Sequence, residues 1–179
     1  MPRTAVLVRP AIAIFAALLA SGCWYSQRPV MVAADSAQPI PTGNYRFTDG
    51  EERARFVSLV QFPGGGYIYF EKNEGAMPVL AREVAPGWYV LQPGPEDDEI
   101  IYGIAHHEGD RILIYDPEEC PEFLSGIAGL IIENGTECRI ETLGALEEAA
   151  ARIVRHPDRG RLLGDPIGIL DLSVREEVY

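Results

Sequence analysis

The sequence is short of positive charge. Its 179 residues include 15 lysines and arginines against 27 aspartates and glutamates, so the net charge at pH 7 is −12. Nucleic-acid binders need a clustered basic face that neutralises phosphates, and adsorption to anionic lipid needs the same. The composition therefore argues against a DNA or RNA partner, and any membrane attachment should depend on a covalent anchor.

The sequence also lacks an N-terminal apolar run long enough to span a bilayer. The uncharged stretch from residue 11 to Cys23 falls short of the roughly 20 residues required, and Arg9 precedes it. Two arginines, Arg3 and Arg9, are followed by an apolar segment over residues 10–19 and then by small residues at 20–22. This order is typical of a secretory signal peptide, so we predict that residues 1–22 are removed.

The segment Leu19-Ala20-Ser21-Gly22-Cys23 resembles the lipobox of bacterial lipoproteins. In that class, small residues fit the signal peptidase and the cysteine sulfur takes a diacylglycerol. Ala20 stands where leucine is commonest in the pattern, with Leu19 one place earlier. The resemblance implies a lipid anchor on Cys23 and a place in the bacterial cell envelope. Trp24, which is not aspartate, fits transport to an outer membrane, with the domain facing the periplasm.

The residues after the lipobox carry no clear signal of regular structure. Residues 24–41 have three prolines, no glycine and no apolar period. Such a composition is typical of a semi-extended tether. We therefore predict three parts: a signal peptide over 1–22, a lipidated cysteine and tether over 23–41, and a single β-rich globular domain over 42–179.

Cysteines are scarce, and their spacing excludes the commonest metal and redox motifs. Cys120 and Cys138 remain once Cys23 is assigned to the anchor. An exported pair in an oxidising compartment most simply forms a disulfide. Neither the paired ligands of a zinc site nor a Cys-x-x-Cys motif is present, so we predict no cofactor and no metal.

From residue 43 to residue 116 the chain alternates short apolar or aromatic runs with turn residues. This pattern predicts antiparallel strands joined by hairpins. Both faces of several strands are apolar, which one sheet with a wet face explains poorly. A closed barrel, a sandwich or a sheet covered by helices accounts for it better. The predicted fold class is therefore mainly β, a meander forming a small barrel or sandwich.

The C-terminal third should combine a hairpin, a helix and a last strand. Residues 121–132 favour a short helix, although two glycines weaken it. Asn134-Gly135 between two β-prone segments predicts a two-residue hairpin turn. Residues 143–155 form an amphipathic helix with Thr142 as its N-cap, packed on the sheet. Residues from 167 onward predict a final strand.

Three features invite a functional interpretation. His106 and His107 lie among acidic residues, but neighbours on a strand point to opposite faces and should not share a metal. The acidic loop 96–99 lacks the ligand pattern of a calcium loop. An aromatic set follows the predicted strands, and we expect it to form core or to line a cavity. Its members are Tyr45, Phe47, Tyr67, Tyr69, Phe70, Trp88, Tyr89, Tyr102 and Tyr115.

Three functions remain open at this point. The first is a non-enzymatic envelope lipoprotein that acts through protein contacts or as a structural accessory. The second is a carrier that holds a lipid or another hydrophobic molecule inside a barrel. The third is a hydrolase of envelope polymers that would need one functional carboxylate or histidine in a cleft. Because no catalytic motif is present, we assign no catalytic residues and place the enzyme last.

Overall fold

The protein forms a closed eight-stranded barrel with a second, four-stranded sheet beside it. This computed structural model describes residues 24–71, 75–94 and 99–176. The strands are β1 Trp24–Ser26, β2 Gly43–Asp49, β3 Ala54–Gln61, β4 Tyr67–Glu71, β5 Ala76–Ala85, β6 Trp88–Pro93, β7 Ile100–Ile101, β8 Gly103–Glu108, β9 Arg111–Tyr115, β10 Leu130–Glu133, β11 Glu137–Ile140 and β12 Gly168–Glu176. The predicted mainly β fold is confirmed, and of the two predicted forms it is a barrel and not a sandwich.

The barrel is an antiparallel meander closed by its last strand. The ring order is β12-β2-β3-β4-β5-β6-β8-β9, and β12 pairs with both β9 and β2. Side chains alternate between the barrel interior and its outer surface, as the strand period requires. On β2, for example, Tyr45, Phe47 and Asp49 are buried, and Arg46 between them is exposed. Closure leaves no open edge in this sheet.

The stagger of the strands makes this barrel wide for its strand number. When each pairing is continued in register around the ring, one circuit returns to the starting strand about 12 residues from where it began. An eight-stranded TIM barrel, whose interior is filled by side chains, has a stagger of about 8. A larger stagger tilts the strands further from the barrel axis, so each strand occupies more of the circumference.

The second sheet has the order β10-β11-β1-β7 and is held by a disulfide. Cys120 and Cys138 are joined across a sequence separation of 18, as predicted from their scarcity. Strands β10 and β11 form the predicted hairpin, with Asn134 at φ 51° and Gly135 at φ 79°, but Thr136 also lies between the last pair, Glu133 and Glu137, so the connection is one residue longer than predicted. Positive φ at both central residues is what a type I′ turn needs.

Two helices follow the second sheet: α1 over Leu143–Arg155 and α2 over Arg159–Leu163. The Thr142 hydroxyl accepts a hydrogen bond from the Ala145 N–H, which confirms the predicted cap. Helix α1 packs against the outer side of β5 and β6, and Arg82 on β5 forms a 2.7 Å ion pair with Glu147. The predicted amphipathic helix is therefore correct in position and in the face it buries.

The helix predicted over residues 121–132 is wrong in extent. Only Glu122–Leu124 forms a turn of 3-10 helix, and Leu130–Glu133 is a strand. Gly126 and Gly129 have φ values of 83° and 85°, which break helical geometry. The glycines that weakened the prediction are thus the residues that end the helix.

The structure differs most from the predicted tether at residues 24–41. Trp24 is fully buried and Met31 nearly so, and both belong to the core between the barrel and α1. The Gln92 side chain accepts hydrogen bonds from the N–H groups of Val30 and Met31. This stretch is therefore part of the folded unit, and the predicted domain boundary at Pro41 does not apply. The predicted signal peptide and Cys23 lie outside the described residues.

The strap formed by residues 30–41 covers a part of β5 that β4 does not reach. The last β4–β5 pair joins Tyr67 to Val79, while β5 continues to Ala85. Beyond that pair, the Ala37 N–H donates to the Ala81 carbonyl at 2.7 Å, and the Ser36 hydroxyl bonds the Ala81 backbone. The strap satisfies backbone groups that the large strand tilt leaves unpaired.

The strap also explains one of the three glycines in the β3–β4 turn. Gly65 has φ 118°, and a Cβ on it would lie 1.8 Å from the Ala33 carbonyl oxygen. Only glycine allows this approach of the two backbones.

Across the described ranges of the chain, no helix has the length and apolar character needed to cross a membrane.

If residues 24–41 are structural, replacing Trp24 should unfold the protein more readily. We expect Trp24→Ala to lower the free energy of unfolding by about 3–5 kcal/mol, since a fully buried side chain is removed. Urea unfolding of Cys23→Ser variants measures this. Val32→Ala, at a 60% exposed position in the same segment, is the matched control and should stay within about 0.5 kcal/mol of the parent. If both changes lower the free energy of unfolding by the same amount, residues 24–41 are a tether and not part of the folded core.

Candidate functional site

The candidate site is the barrel interior, which has one aromatic wall. On β2 and β4 the inward-facing residues are Tyr45, Phe47, Tyr67 and Tyr69, all buried. Val57 and Leu59 lie between them on β3. Aromatic rings supply large rigid apolar surfaces with hydroxyl groups at fixed points, a common lining for small-molecule sites.

The opposite wall carries smaller side chains. The inward positions of β5, β6 and β8 include Ala81, Leu91, Gly103 and Ala105, with Ala81 paired to Leu91 and Leu91 paired to Gly103. Tyr89 on β6 and Met77 and Val79 on β5 are larger inward residues of the same strands. The inner faces of β5, β6 and β8 therefore mix small and large side chains, in a ring whose stagger makes it wide for eight strands.

Several inward-facing apolar side chains remain partly accessible. Met77, Val79, Leu91, Ile114 and Leu172 pack against the interior cluster but are only half-buried. Partly accessible apolar side chains also border the outer core, Trp88 and Tyr115 among them. The interior cluster therefore keeps some apolar surface accessible.

One end of the barrel, which we name the strap end, is closed by residues 37–41. Ile40 is buried in the interior cluster. Its N–H donates to the Tyr67 hydroxyl at 2.7 Å, and that hydroxyl lies 2.9 Å from the Ile40 carbonyl oxygen. The Tyr45 hydroxyl donates to the Pro41 carbonyl at 2.6 Å. Burial raises the pKa of Tyr67 to about 12, so its hydroxyl keeps its proton at neutral pH.

The other end, named the ion-pair end, carries charged side chains inside the barrel wall. Arg55 on β3 is in register with Phe47, and its guanidinium carbon lies 4.7 Å from the centre of that ring. Arg55 Nη1 donates to Asp49 Oδ2 at 3.0 Å, and Arg55 Nε lies 2.7 Å from Glu71 Oε1. The Tyr69 hydroxyl donates to Glu71 Oε2 at 2.8 Å. Three neighbouring strands thus contribute one charge each.

Asp49 organises this cluster and the β2–β3 turn together. Its side chain is 0% exposed, and Oδ1 accepts the N–H groups of Glu51 and Arg53 at 3.0 Å each. Burial alone would raise the pKa of the Asp49 carboxyl. The hydrogen bonds from Arg53, Arg55 and the Glu51 backbone outweigh burial and hold the pKa below its ordinary 3.8. Asp49 is therefore ionised at neutral pH.

Arg55 keeps its charge for a related reason. Burial would lower the pKa of its guanidinium, but the charge of Glu71 and the bonds to Tyr69 and Asp49 raise it. Asp49 and Arg55 therefore both carry their charges inside the barrel wall.

The structure separates the residues that the sequence singled out. His106 stacks on Trp88 on the outer surface, with ring centres 4.0 Å apart, while His107 is in register with the interior residue Ile112. The prediction that the two histidines point to opposite faces of their strand is thus correct. Over the part of the chain that the structure covers, no group of three or more His, Cys, Asp and Glu side chains could hold a metal. The acidic loop 96–99 lies largely outside the described residues.

The aromatic set divides between three surroundings. Tyr45, Phe47, Tyr67, Tyr69 and Tyr89 are in the barrel interior, and Trp88, Tyr102 and Tyr115 belong to the core beside α1. Phe70 is 40% exposed on the outer surface. The sequence could not assign these environments. The period of a strand shows that its side chains alternate between two faces, but not which face points into the barrel.

Sequence analysis missed the ion-pair end entirely. A signal was present: Asp49, Arg55 and Glu71 are each in phase with the inward-facing apolar residues of their own strand. A charge in phase with a buried face is unusual on one strand, and on three consecutive strands it indicates a cluster inside the fold.

Together these features define a class: a closed antiparallel barrel with an apolar, aromatic-rich interior, one strapped end and one end with buried charges. No family model, curated protein or solved structure matches the chain. Function must therefore be argued from the interior itself.

The charge on Asp49 should contribute to the loss of unfolding free energy at acid pH. Because its pKa is lowered in the fold, its contribution is complete above the ordinary 3.8 and is lost as pH falls through the lowered value. We expect Asp49→Asn to cost about 3 kcal/mol or more at pH 7, since Arg55 loses a buried partner. The difference from the parent should shrink below about pH 4.

Asp171→Asn is the control, because Asp171 pairs on the outer side of the barrel with Arg46, whose side chain is 46% exposed, and a pair with one exposed partner contributes about 1 kcal/mol or less. Chemical denaturation between pH 3 and pH 7 measures both variants. An Asp49→Asn penalty no larger than that of Asp171→Asn would contradict the role assigned to the buried cluster.

Proposed function

We propose that this protein is a non-enzymatic carrier that holds one hydrophobic small molecule inside its barrel. The observation that carries the proposal is the large stagger of the closed barrel, whose interior is lined by apolar and aromatic side chains. An interior of eight strands can either be packed solid or hold a single ligand, and a wide ring favours the second alternative.

The fold has a second core outside the barrel. A second core, between the outer side of β6 and β8 and helix α1, contains Val90, Ile104, Leu146 and Ile153, each essentially buried. The disulfide and the strap reinforce the same side of the molecule. A barrel supported from outside can leave internal space for a ligand at lower cost than one that is its own only core.

We also propose that a lipid on Cys23 attaches this carrier to a membrane of the bacterial envelope. The resemblance of residues 19–23 to a lipobox supports the attachment. Trp24, the next residue, is buried in the fold, and consecutive Cα atoms are about 3.8 Å apart. The anchored domain would therefore sit against the membrane without a spacer, which suits a protein that exchanges a water-insoluble molecule with that surface.

A second candidate function is protein interaction. The outer faces of β3 and β4 present an apolar row of Phe56, Val60 and Phe70, each at least 40% exposed, and Phe62 follows at 51%. In register, Ser58 opposes Phe70 and Val60 opposes Ile68, so the side chains form one continuous patch. Rows of this kind mark contact surfaces on soluble proteins.

Dye binding distinguishes the two candidates. We expect the protein to bind about one equivalent of N-phenyl-naphthylamine, an uncharged dye that fluoresces in apolar surroundings. Leu91→Trp adds volume beside Ala81 and Gly103, and should weaken binding at least about tenfold. Fluorescence titration measures the dissociation constant.

Val60→Trp is the matched control, because it makes a comparable change on the outer surface and should leave dye affinity unchanged. Loss of dye binding in Phe70→Ser together with normal binding in Leu91→Trp would contradict the carrier and favour the exposed row. No dye binding by the parent would contradict the carrier as well.

The anchor has its own test. Expressed in a bacterium that processes lipoproteins, the chain should yield a mature mass that begins at Cys23 and includes acyl groups. Cys23→Ser should carry no acyl groups, because the sulfur that takes the lipid is gone. The Cys120→Ser, Cys138→Ser double variant should remain acylated and serves as the control. Retention of residues 1–22 on the parent would refute the anchor.

A further inference from the structure

The outer face of β3, β4 and the first half of β5 is uncharged, although the chain as a whole is strongly acidic. The pairing of the strands makes this surface continuous, since Phe70 on β4 lies between Ser58 on β3 and Ala76 on β5. Ser58, its one polar member, donates its hydroxyl to Asn44 Oδ1. We name this surface the apolar face, and its members are Phe56, Ser58, Val60, Phe62, Ile68, Phe70, Ala76 and Pro78.

The apolar face is large enough for a stable contact between two folded proteins. Phe62 is 51% exposed, and Phe56, Val60 and Phe70 are each 40% or 41% exposed. With about 200 Å² for each aromatic side chain, the eight residues together expose roughly 400 Å². About 60% of a stable interface is apolar, so this area implies roughly 650 Å² of contact on each partner. A standard interface buries about 800 Å² per partner.

The distribution of charge favours a second copy of this chain as the partner. Residues 99–165 form β7 to β11 and both helices, and they contain 14 acidic residues against 6 basic ones. This acidic part is built around β8, which lies four places from β3 in the ring of eight and therefore across the barrel. Two copies that meet through the apolar face keep their acidic parts apart, so their repulsion is small in this arrangement. A basic partner would find no carboxylate on the apolar face to pair with.

We propose that two copies of this protein pair through the apolar face, related by a twofold axis. The proposal rests on the second candidate function, protein interaction, and names the partner. In a twofold contact the same surface serves both copies, so a face without charge needs no complementary pattern. Two apolar sheet faces pack about 10 Å apart with interdigitating side chains. The contact lies on the outer wall of the barrel, so it is compatible with a ligand in the interior.

Cysteine cross-linking in bacterial cells tests the proposal on the full chain. Ser58→Cys places a thiol near the centre of the apolar face, where a twofold axis brings it close to the same thiol of the second copy. Under mild oxidation, non-reducing electrophoresis should show a species of twice the parent mass. Arg155→Cys, at an exposed position of α1, is the matched control and should give at least about tenfold less of this species.

Val60→Glu distinguishes a specific contact from random collision. Two copies would then bring like charges together, so the cross-linked fraction in the Ser58→Cys background should fall at least about tenfold. Ile131→Glu makes the same kind of change at a 36% exposed position on β10 and should keep the fraction within about twofold. Co-expression of Val60→Glu copies with Val60→Lys copies, both in the Ser58→Cys background, should restore the species, because opposite charges then meet.

The other outcomes overturn the inference. Absence of the double-mass species, or equal amounts from Ser58→Cys and Arg155→Cys, excludes a specific contact, and no restoration by the mixed copies excludes a twofold one. Cross-links from Ser58→Cys to proteins of another mass assign the apolar face to a different partner.

Dye binding reports on the carrier separately. Val60→Glu should bind N-phenyl-naphthylamine within about twofold of the parent, since the outer wall is distant from the interior. Failure of the parent to bind the dye removes the carrier and leaves this inference intact, while failure to cross-link removes this inference and leaves the carrier.

Discussion

The whole structure depends on the pairing of β12 with β2, because that contact turns an eight-stranded meander into a ring. The two strands come from opposite ends of the chain, and their register breaks at a bulge between Asp171 and Arg175. Gly168 begins the contact: a Cβ there would lie 2.5 Å from Phe47 Cζ, so the ring of Phe47 occupies the place of a side chain. The contact that closes the barrel and a ring that lines its interior therefore meet at Gly168 and Phe47.

The closed ring creates two cores that share one wall. On β6, Val90 faces the core beside α1 and Tyr89 faces the barrel interior; on β8, Ile104 and Ala105 divide in the same way. This division explains why both faces of these strands are apolar in the sequence. The two cores also differ in what packs on them, since helix α1 and the disulfide belong to the outer core and an aromatic cluster to the inner one.

Local chemistry predicted the elements well, and long-range contacts determined what it could not predict. Alternation identified the barrel strands, Asn134-Gly135 the hairpin, and Thr142 the start of α1, since each signal acts within a few residues. The stagger of the barrel and the buried strap are set by partners far apart in the chain. Trp24 and Met31 have no periodic neighbours, so no local pattern could place them in a core.

The buried charges at the ion-pair end are difficult to explain by stability alone. Arg46 and Asp171 show that this barrel can hold an ion pair on its outer surface, where desolvation is small. Placing Asp49, Arg55 and Glu71 inside the wall costs desolvation energy that their mutual attraction only partly offsets, and apolar residues of similar size would often be as stable. A cluster of this kind instead fixes polar atoms at known positions in an apolar space. In this barrel the fixed atoms belong to Asp49, Arg55 and Glu71, which join β2, β3 and β4 at one end of the ring.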